Sequence, residues 1–514
     1  MKLILIAILL SVTLLQVQAK NFSYEQIAEM PKSIEKDYYI WRLLKQKNTS
    51  KKEAQKILKD VKHISVKIKK AYKKKVGKNP PPPKGWYIIH VSPEIKAKRK
   101  KRKAKVKAIT KSKNPFDRWM KLSNSDKIYV FNNAGKDGRK LFDRPVSKEL
   151  WQKLSLYSKF DKCIKKINKE NLKKLKKSFI YPPLEKSGLD YQALSILAFY
   201  TLRRDEEQTA MKYFKLALKK AKSRESIDKI LFWQYMISKD KKYLKKIVTS
   251  YDVNIYTLLA RDFLKLEYPE YITPALPKVK LLSEDKISSP IYWAKLKKKI
   301  FSKSTNLDKL TEKYNSYGTV GFYSYIKSKQ SRYKEHYFPM PYRDLLSKLP
   351  KTRQAIMYAI ARQESRFIPA SVSSSYALGM MQIMPFLVDH LAKQRKEEID
   401  YDDMFNPRTS LIYANEHMNY LTKWLQHPLY IAYAYNAGIG FTSKMLRKKD
   451  LFVHNKGYEP YLSIEKLPNS QANKYGKHVL VNYVIYMNKL GVQLRMIDLL
   501  STLHIPSKTD KFRK

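Results

Sequence analysis

A mainly α-helical fold is what this sequence predicts, on three observations. Between residues 190 and 267 apolar side chains recur at helical spacing, with Leu194, Leu197, Ala198 and Leu202 on one stripe and Met211, Phe214, Ala217 and Leu218 on the next. Prolines stand where helices must begin or stop: Pro350 precedes and Pro369 ends one helical stretch, and Pro428 stops another that covers residues 408–426. Stretches with strand character are short and few, at residues 86–91 and 127–131.

In order along the chain, residues 1–19 read as a secretory signal peptide, with Lys2 as a short positive region, an apolar run over 3–15 and cleavage after Ala19. The apolar run is too short for a comfortable span, and no other stretch is long enough to cross a bilayer. Lys20, not a cysteine, follows the cleavage point, so a lipid anchor is not indicated. Residues 20–189 form a basic helical region, interrupted at Pro80 to Pro83 by a stiff spacer. Its run KAKRKKRKAKVK, residues 96–107, is an electrostatic handle for anionic glycan or lipid, or a solvated helix or loop. Residues 190–337 are expected to be an α-superhelix of paired helices, closed by Pro269, Pro274 and Pro277, and then a linker. Further on, residues 429–436 make a short helix with Gly438 as a left-handed cap, and residues 479–487 are apolar all round and predict a buried helix.

A chain of 514 residues can bury a large core, and its size implies more than one domain. One cysteine, Cys163, cannot make an internal disulfide and is expected to be a buried thiol. The formal charge of +60 and pI near 9.9 would point to nucleic acid in a cytoplasmic protein. With an export signal the expected polyanions are cell-wall peptides, acidic glycans and anionic lipid surfaces instead, and nucleic acid is excluded.

One carboxylate stands out. Met357, Ile360, Ala361 and Glu364 share a helical stripe flanked by Ile356, Gln363 and Phe367, which turns Glu364 inward. Burial disfavours a charged carboxyl and raises its pKa, so Glu364 could hold a proton near neutral pH and act as a general acid. A buried Glu paired with an Arg or Lys would read the same way from this helix alone.

The residues that follow favour the first reading. Glu364-Ser365 leads into a Ser-rich loop and then Gly379-Met380-Met381-Gln382-Ile383-Met384-Pro385, and Ala434-Tyr435-Asn436-Ala437-Gly438 comes downstream. In residue type and spacing this series resembles the catalytic motifs of the soluble lytic transglycosylases, and Phe338-Pro339-Met340-Pro341-Tyr342-Arg343-Asp344 resembles that family's entry into its catalytic domain. Residues 250–264 are similar to the helix that closes the family's superhelix. The resemblance implies a lysozyme-like α-helical catalytic domain over 338–495, preceded by the superhelix and followed by a tail at 496–514.

It implies, too, cleavage of the β-1,4 bond between N-acetylmuramic acid and N-acetylglucosamine by one Glu acting as acid and then base, leaving a 1,6-anhydro sugar. Glu364 would be that residue. Ser373, Gln382, Met384, Tyr435 and Asn436 would contact the glycan, Tyr435 beside Glu364, and Glu465 and Tyr475 would line the cleft. In that last segment the match loosens: Gln471-Ala472 replaces a Glu-Thr pair and Gly476 replaces a valine. Asp389, Glu397, Glu398, Asp400, Asp402 and Asp403 are expected to be solvated surface, and neither metal nor cofactor is implied. The expected protein is a periplasmic monomer that binds peptidoglycan glycan strands and makes peripheral contact with anionic envelope surfaces. A lysozyme-like hydrolase of the same bond and a non-catalytic wall-binding scaffold are the alternatives.

Overall fold

The computed structural model describes residues 20–81, 92–453, 457–467 and 469–513. The expected leader, the β-prone piece 86–91 and the last two prolines of the spacer lie outside the described residues. Among those described the architecture is helical throughout, with extended backbone only as isolated bridges, and no helix is long and apolar enough to cross a membrane. Caps fix many of the helix starts: Ser33, Ser65, Asp190, Ser223, Asn254 and Asn406 each accept a hydrogen bond from a first-turn N–H.

The chain divides into two compact units. The first comprises the described residues of Met1–Trp86, Tyr271–Trp424 and Ile485–Val492. Its helices include Ile34–Lys45, Val66–Val76, Pro290–Ile300, Val320–Gln330, Lys351–Glu364 and Pro407–Thr422. The stretch after Pro277 up to Tyr337, expected to be a linker, carries a core of its own: Trp293, Leu296, Ile300, Leu310, Tyr314, Phe322 and Ile326 pack together with Ile368. Aromatic rings at helical spacing supply that core, with Trp293 stacked on Phe322 at 5.8 Å. The helix predicted over 408–426 runs Pro407–Thr422, and Pro428 opens the next helix rather than closing this one.

The second unit comprises the described residues of Tyr87–Glu270, Leu425–Val484 and Gln493–Lys514. Tyr191–Leu202, Glu207–Lys220, Arg224–Ser238, Lys242–Val248 and Ile255–Phe263 pack each on the next, as a run of paired helices should. The basic run forms the helix Pro93–Thr110, whose residues 93–104 are exposed on all sides. The other β-prone piece is corrected: 127–131 lies within the helix Asn124–Asn133. Ser123 caps that helix, and Phe131 packs on Trp119 and Phe142, at 6.3 and 6.2 Å, so local capping and ring packing override strand propensity. Cys163 is a buried thiol. The helix Ser470–Lys489 carries the predicted apolar stretch, and every residue from Val479 to Met487 is buried.

Candidate active site

Glu364 is the last residue of Lys351–Glu364, a helix whose side chains from Ala355 to Ala361 are all buried. Burial is thus wider than the single stripe read from the sequence, because Tyr358 stacks on Tyr486 at 5.2 Å while Arg353 binds the Asn415 side chain at 3.1 Å. Glu364 itself is half-buried. Pro350 is the N-cap as expected, yet the helix stops at Glu364, well ahead of Pro369. Arg366 and Phe367 take φ of 56° and 63°, and this left-handed pair reverses the chain. Phe367 is buried, which compensates for the strained backbone.

The basic residues beside Glu364 meet aromatic rings. Arg362 lies 3.7 Å over the Phe338 ring and donates from Nε to the Tyr337 carbonyl at 2.8 Å; burial lowers its pKa to about 10. Arg366 sits over Tyr333 at 5.1 Å and Tyr325 at 5.6 Å.

Past the reversal, residues 371–383 knit into one loop. Val372 bridges Leu378, which bridges Ile383, and Gly379 donates to the Ser371 carbonyl at 2.9 Å. Gln382, at φ 51°, donates from Nε2 to the carbonyls of Ser371 and Gly379, at 3.0 and 2.8 Å. Gly379 has φ 75°, and a Cβ on it would lie 1.9 Å from the Met404 carbonyl oxygen, so only glycine fits. Ser373 is half-buried and its Oγ accepts from the Ala377 N–H at 2.9 Å, a turn serine whose hydroxyl hydrogen can still donate. Met384 is half-buried at the start of the next helix. The first unit therefore brings Ser373 and Gln382 into one loop a few residues from Glu364.

Tyr435, Asn436, Glu465 and Tyr475 belong to the second unit. Tyr435 and Asn436 are half-buried near the end of Pro428–Ala437. Gly438 has positive φ, 88°, but ψ is 149°, so it is not the left-handed helical cap expected; it joins that helix to Ile439–Leu446. Tyr475 is buried. Glu465 meets one buried and one half-buried cation: Lys229, half-buried, and the Tyr256 hydroxyl donate to it, as does the buried Lys477 at 3.2 Å, and its side chain is 4% exposed. Burial alone would push its carboxyl up, but the two lysines outweigh that and lower its pKa to about 2. Such a carboxylate serves as a structural anchor in its unit, not as an open wall of a cleft.

The acidic cluster is corrected in part. Asp389, Glu397 and Glu398 are exposed as expected, but Asp400 is buried and Asp402 nearly so, because Arg42 of the N-terminal helix Ile34–Lys45 pairs with both. The same helix reaches the Ser373 loop: Trp41 packs on Tyr376 at 5.5 Å, and the Tyr376 hydroxyl bonds Ser65 Oγ at 2.9 Å. These supports went unread in the sequence. Its only signal was a run of aromatic residues, Tyr38, Tyr39 and Trp41, in an otherwise basic segment.

Residues 347–455 match the family model described as "Transglycosylase SLT domain". The soluble lytic murein transglycosylase of Salmonella typhimurium is 28% identical over 165 residues, 30% of this chain and 24% of that protein. The Escherichia coli K12 protein of the same description is 27% identical over 209 residues, 39% of this chain and 31% of its own. The chain thus spans less than a third of the length of these curated relatives. An X-ray structure of an inactive mutant of the lytic transglycosylase Slt from Pseudomonas aeruginosa aligns with 90% of this chain and 74% of its own, at 14% identity and a TM-score of 0.50, a likeness of fold.

Proposed function

We propose, from the Transglycosylase SLT domain that this chain carries over residues 347–455, that the protein is a peptidoglycan lytic transglycosylase. It cleaves the β-1,4 bond between N-acetylmuramic acid and N-acetylglucosamine and leaves 1,6-anhydro-N-acetylmuramoyl ends. The observation that carries the reading is the setting of Glu364: a half-buried carboxyl ending a buried helix, a few residues from a self-bonded loop that holds Ser373 and Gln382.

In this reading protonated Glu364 gives its proton to the glycosidic oxygen, and the bond from C1 to that oxygen breaks with its electron pair leaving on the oxygen. The oxocarbenium-like C1 that develops needs negative charge or a nucleophile opposite the leaving group. The carbonyl oxygen of the sugar's own N-acetyl group supplies it, so no second carboxylate is required. Glu364, now a carboxylate, takes the proton of the 6-hydroxyl as that oxygen bonds to C1 and the N-acetyl oxygen leaves C1 with its electron pair, and the acid is restored.

Ser373, Gln382, Met384, Tyr435 and Asn436 are the proposed glycan contacts within a catalytic domain at 338–495, and the proposed location is the periplasm. Glu465 is given a structural role instead. Glu364→Gln keeps size and hydrogen bonding but has no acidic proton, so lysis of purified murein should fall by about 10²-fold or more with the circular dichroism spectrum unchanged. Mass spectrometry of the products from wild type is the second arm. Anhydro ends support the reading, reducing ends would make the protein a hydrolase, and near-wild-type lysis by Glu364→Gln would remove Glu364 from the chemistry.

A further inference from the structure

The buried carboxylates of Asp400 and Asp402 share one guanidinium. Arg42 donates to both oxygens of Asp400, at 2.7 and 2.5 Å, and to Asp402 at 2.7 Å. The side chains are 4% exposed for Arg42, 6% for Asp400 and 13% for Asp402, so the cluster holds one excess negative charge where water screens it poorly.

Other groups face it. Burial pushes the Asp402 carboxyl up, and the side chain of Lys20 acts on it in the opposite sense, through space and without a direct ion pair. From the helix Ile34–Lys45, the hydroxyls of Tyr38 and Tyr39 donate to Asp402 at 2.8 and 3.3 Å, and Lys45 lies over the rings of Trp41 and Tyr401, at 4.9 and 5.8 Å. From the turn itself, the Tyr401 ring lies 5.6 Å from the Arg42 guanidinium, and Asp403 accepts the Asp400 N–H at 2.8 Å. The remaining donor is the backbone nitrogen of Lys20, 2.8 Å from Asp400 Oδ2, with the Lys20 carbonyl accepting from Arg42 at 3.4 Å.

Cleavage after Ala19 would turn that nitrogen into an α-ammonium. We propose that the α-ammonium of Lys20 adds to the Asp400–Asp402–Arg42 cluster a cation bonded directly to Asp400, so that removal of the leader completes a support of the proposed active-site loop. The support runs through two backbone steps. Asp400 caps the turn Tyr401–Phe405, accepting the Asp402 N–H at 2.9 Å. That turn presents the Met404 carbonyl to Gly379, where a Cβ would approach to 1.9 Å, and Gly379 opens the segment held by Gln382. Lys20 touches no substrate; it is a positioning residue, acting through Asp400 and Met404. The inference depends on cleavage after Ala19 and not on the lytic reaction, and its tests read stability and amine chemistry.

An α-amino group titrates ordinarily near pH ~7.7–8.0, and a carboxylate neighbour raises that value in the folded chain. The sign follows: the added stability is fully present below the unfolded pKa and is lost as pH rises through the folded one. The experiment compares three chains beginning at Lys20, with a free amine, with an acetylated amine and with a Gly-Ser extension, each with Asp400 and with Asp400→Asn. The free-amine chain should melt several degrees higher than the other two near neutral pH, the gap should close in alkali, and Asp400→Asn should abolish it. Equal melting temperatures, or a gap that survives Asp400→Asn, overturn the proposal. Should Asp400→Asn not fold, the wild-type chain decides alone. Its Lys20 amine should acylate at least tenfold more slowly when folded than in urea, as followed by peptide mass spectrometry, and equal rates refute the pairing.

Discussion

Gly321 stands against the carbonyl of Phe367, so close that a Cβ on it would lie 2.2 Å from that oxygen. The helix Val320–Gln330 therefore comes to backbone contact with the reversal that carries the chain away from Glu364. Gly321→Ala must push the two apart. Overpacking of this kind costs roughly 1–3 kcal/mol, and here the displaced element is the one that orients the proposed acid. The expected result is a lower melting temperature together with a lower kcat on murein at nearly unchanged KM. An unaltered kcat would mean that the reversal does not set the position of Glu364.

Gly476 and Tyr433 form a second such contact, in the other unit. A Cβ at Gly476 would lie 2.2 Å from Cε1 of the Tyr433 ring, at the position where the resembled family carries a valine. The ring has taken that volume. The Tyr433 hydroxyl is buried with no hydrogen-bond partner among the described residues, so it adds desolvation without a bond. Urea denaturation should find Gly476→Ala destabilised by roughly 1–3 kcal/mol. Tyr433→Phe should be neutral or more stable by about 1 kcal/mol. A marked loss in Tyr433→Phe would mean that the hydroxyl has a partner, such as a buried water.

What the sequence disclosed, and what it concealed, follows from distance along the chain. Glu364 and its loop were legible because the helical period and the motif are local, and the paired helices after Asp190 were legible for the same reason. Arg42 and Asp400 lie 358 residues apart, so no window of sequence joins them, and the acids at 400 and 402 read as solvated. The ion pairs of Glu465 are hidden likewise, its partner Lys229 lying 236 residues away. At 127–131 the short apolar run had no length to separate strand from helix, and the cap at Ser123 decided it. The stretch from Pro277 to Tyr337 reads as a linker because prolines close the unit before it, while the core around Trp293 and Phe322 rests on rings from several short helices.

The helix Pro93–Thr110 carries the charge argument further. Its first three turns are exposed on every side, and Glu94 is its lone acid among nine lysines and arginines, so like charges repel at each helical neighbour. A polyanion relieves that repulsion. Replacing Lys98, Arg99, Arg102 and Lys103 by Gln should weaken sedimentation of the protein with cell-wall sacculi at low salt, and moderate salt should do the same to wild type. Turnover of short soluble glycans should change little in either case. Adsorption that ignores both salt and substitution would show that the helix does not recruit the substrate.

Two buried groups of the second unit should divide its acid denaturation into separate windows. His427 is buried with both ring nitrogens used: Nδ1 accepts from the Leu429 N–H at 3.1 Å and Nε2 donates to the Leu499 carbonyl at 3.0 Å. That arrangement holds only for the neutral ring, and burial lowers its pKa from 6.5 to about 4. The unfolded chain therefore binds this proton first, and stability falls as pH drops from about 6.5 toward 4, by on the order of 3 kcal/mol. Glu465 acts lower. Its folded pKa, about 2 against 4.5, means that its contribution is full above 4.5 and is lost as pH falls through 2. His427→Gln should flatten the upper window and leave the lower one. Glu465→Gln should do the reverse while destabilising the protein by roughly 3 kcal/mol at neutral pH, because Lys477 is left buried, and Lys229 half-buried, without their counterion. Urea midpoints measured across the acid range decide the matter: a curve unchanged above pH ~4.5 in His427→Gln would show that this ring is not the group that titrates there.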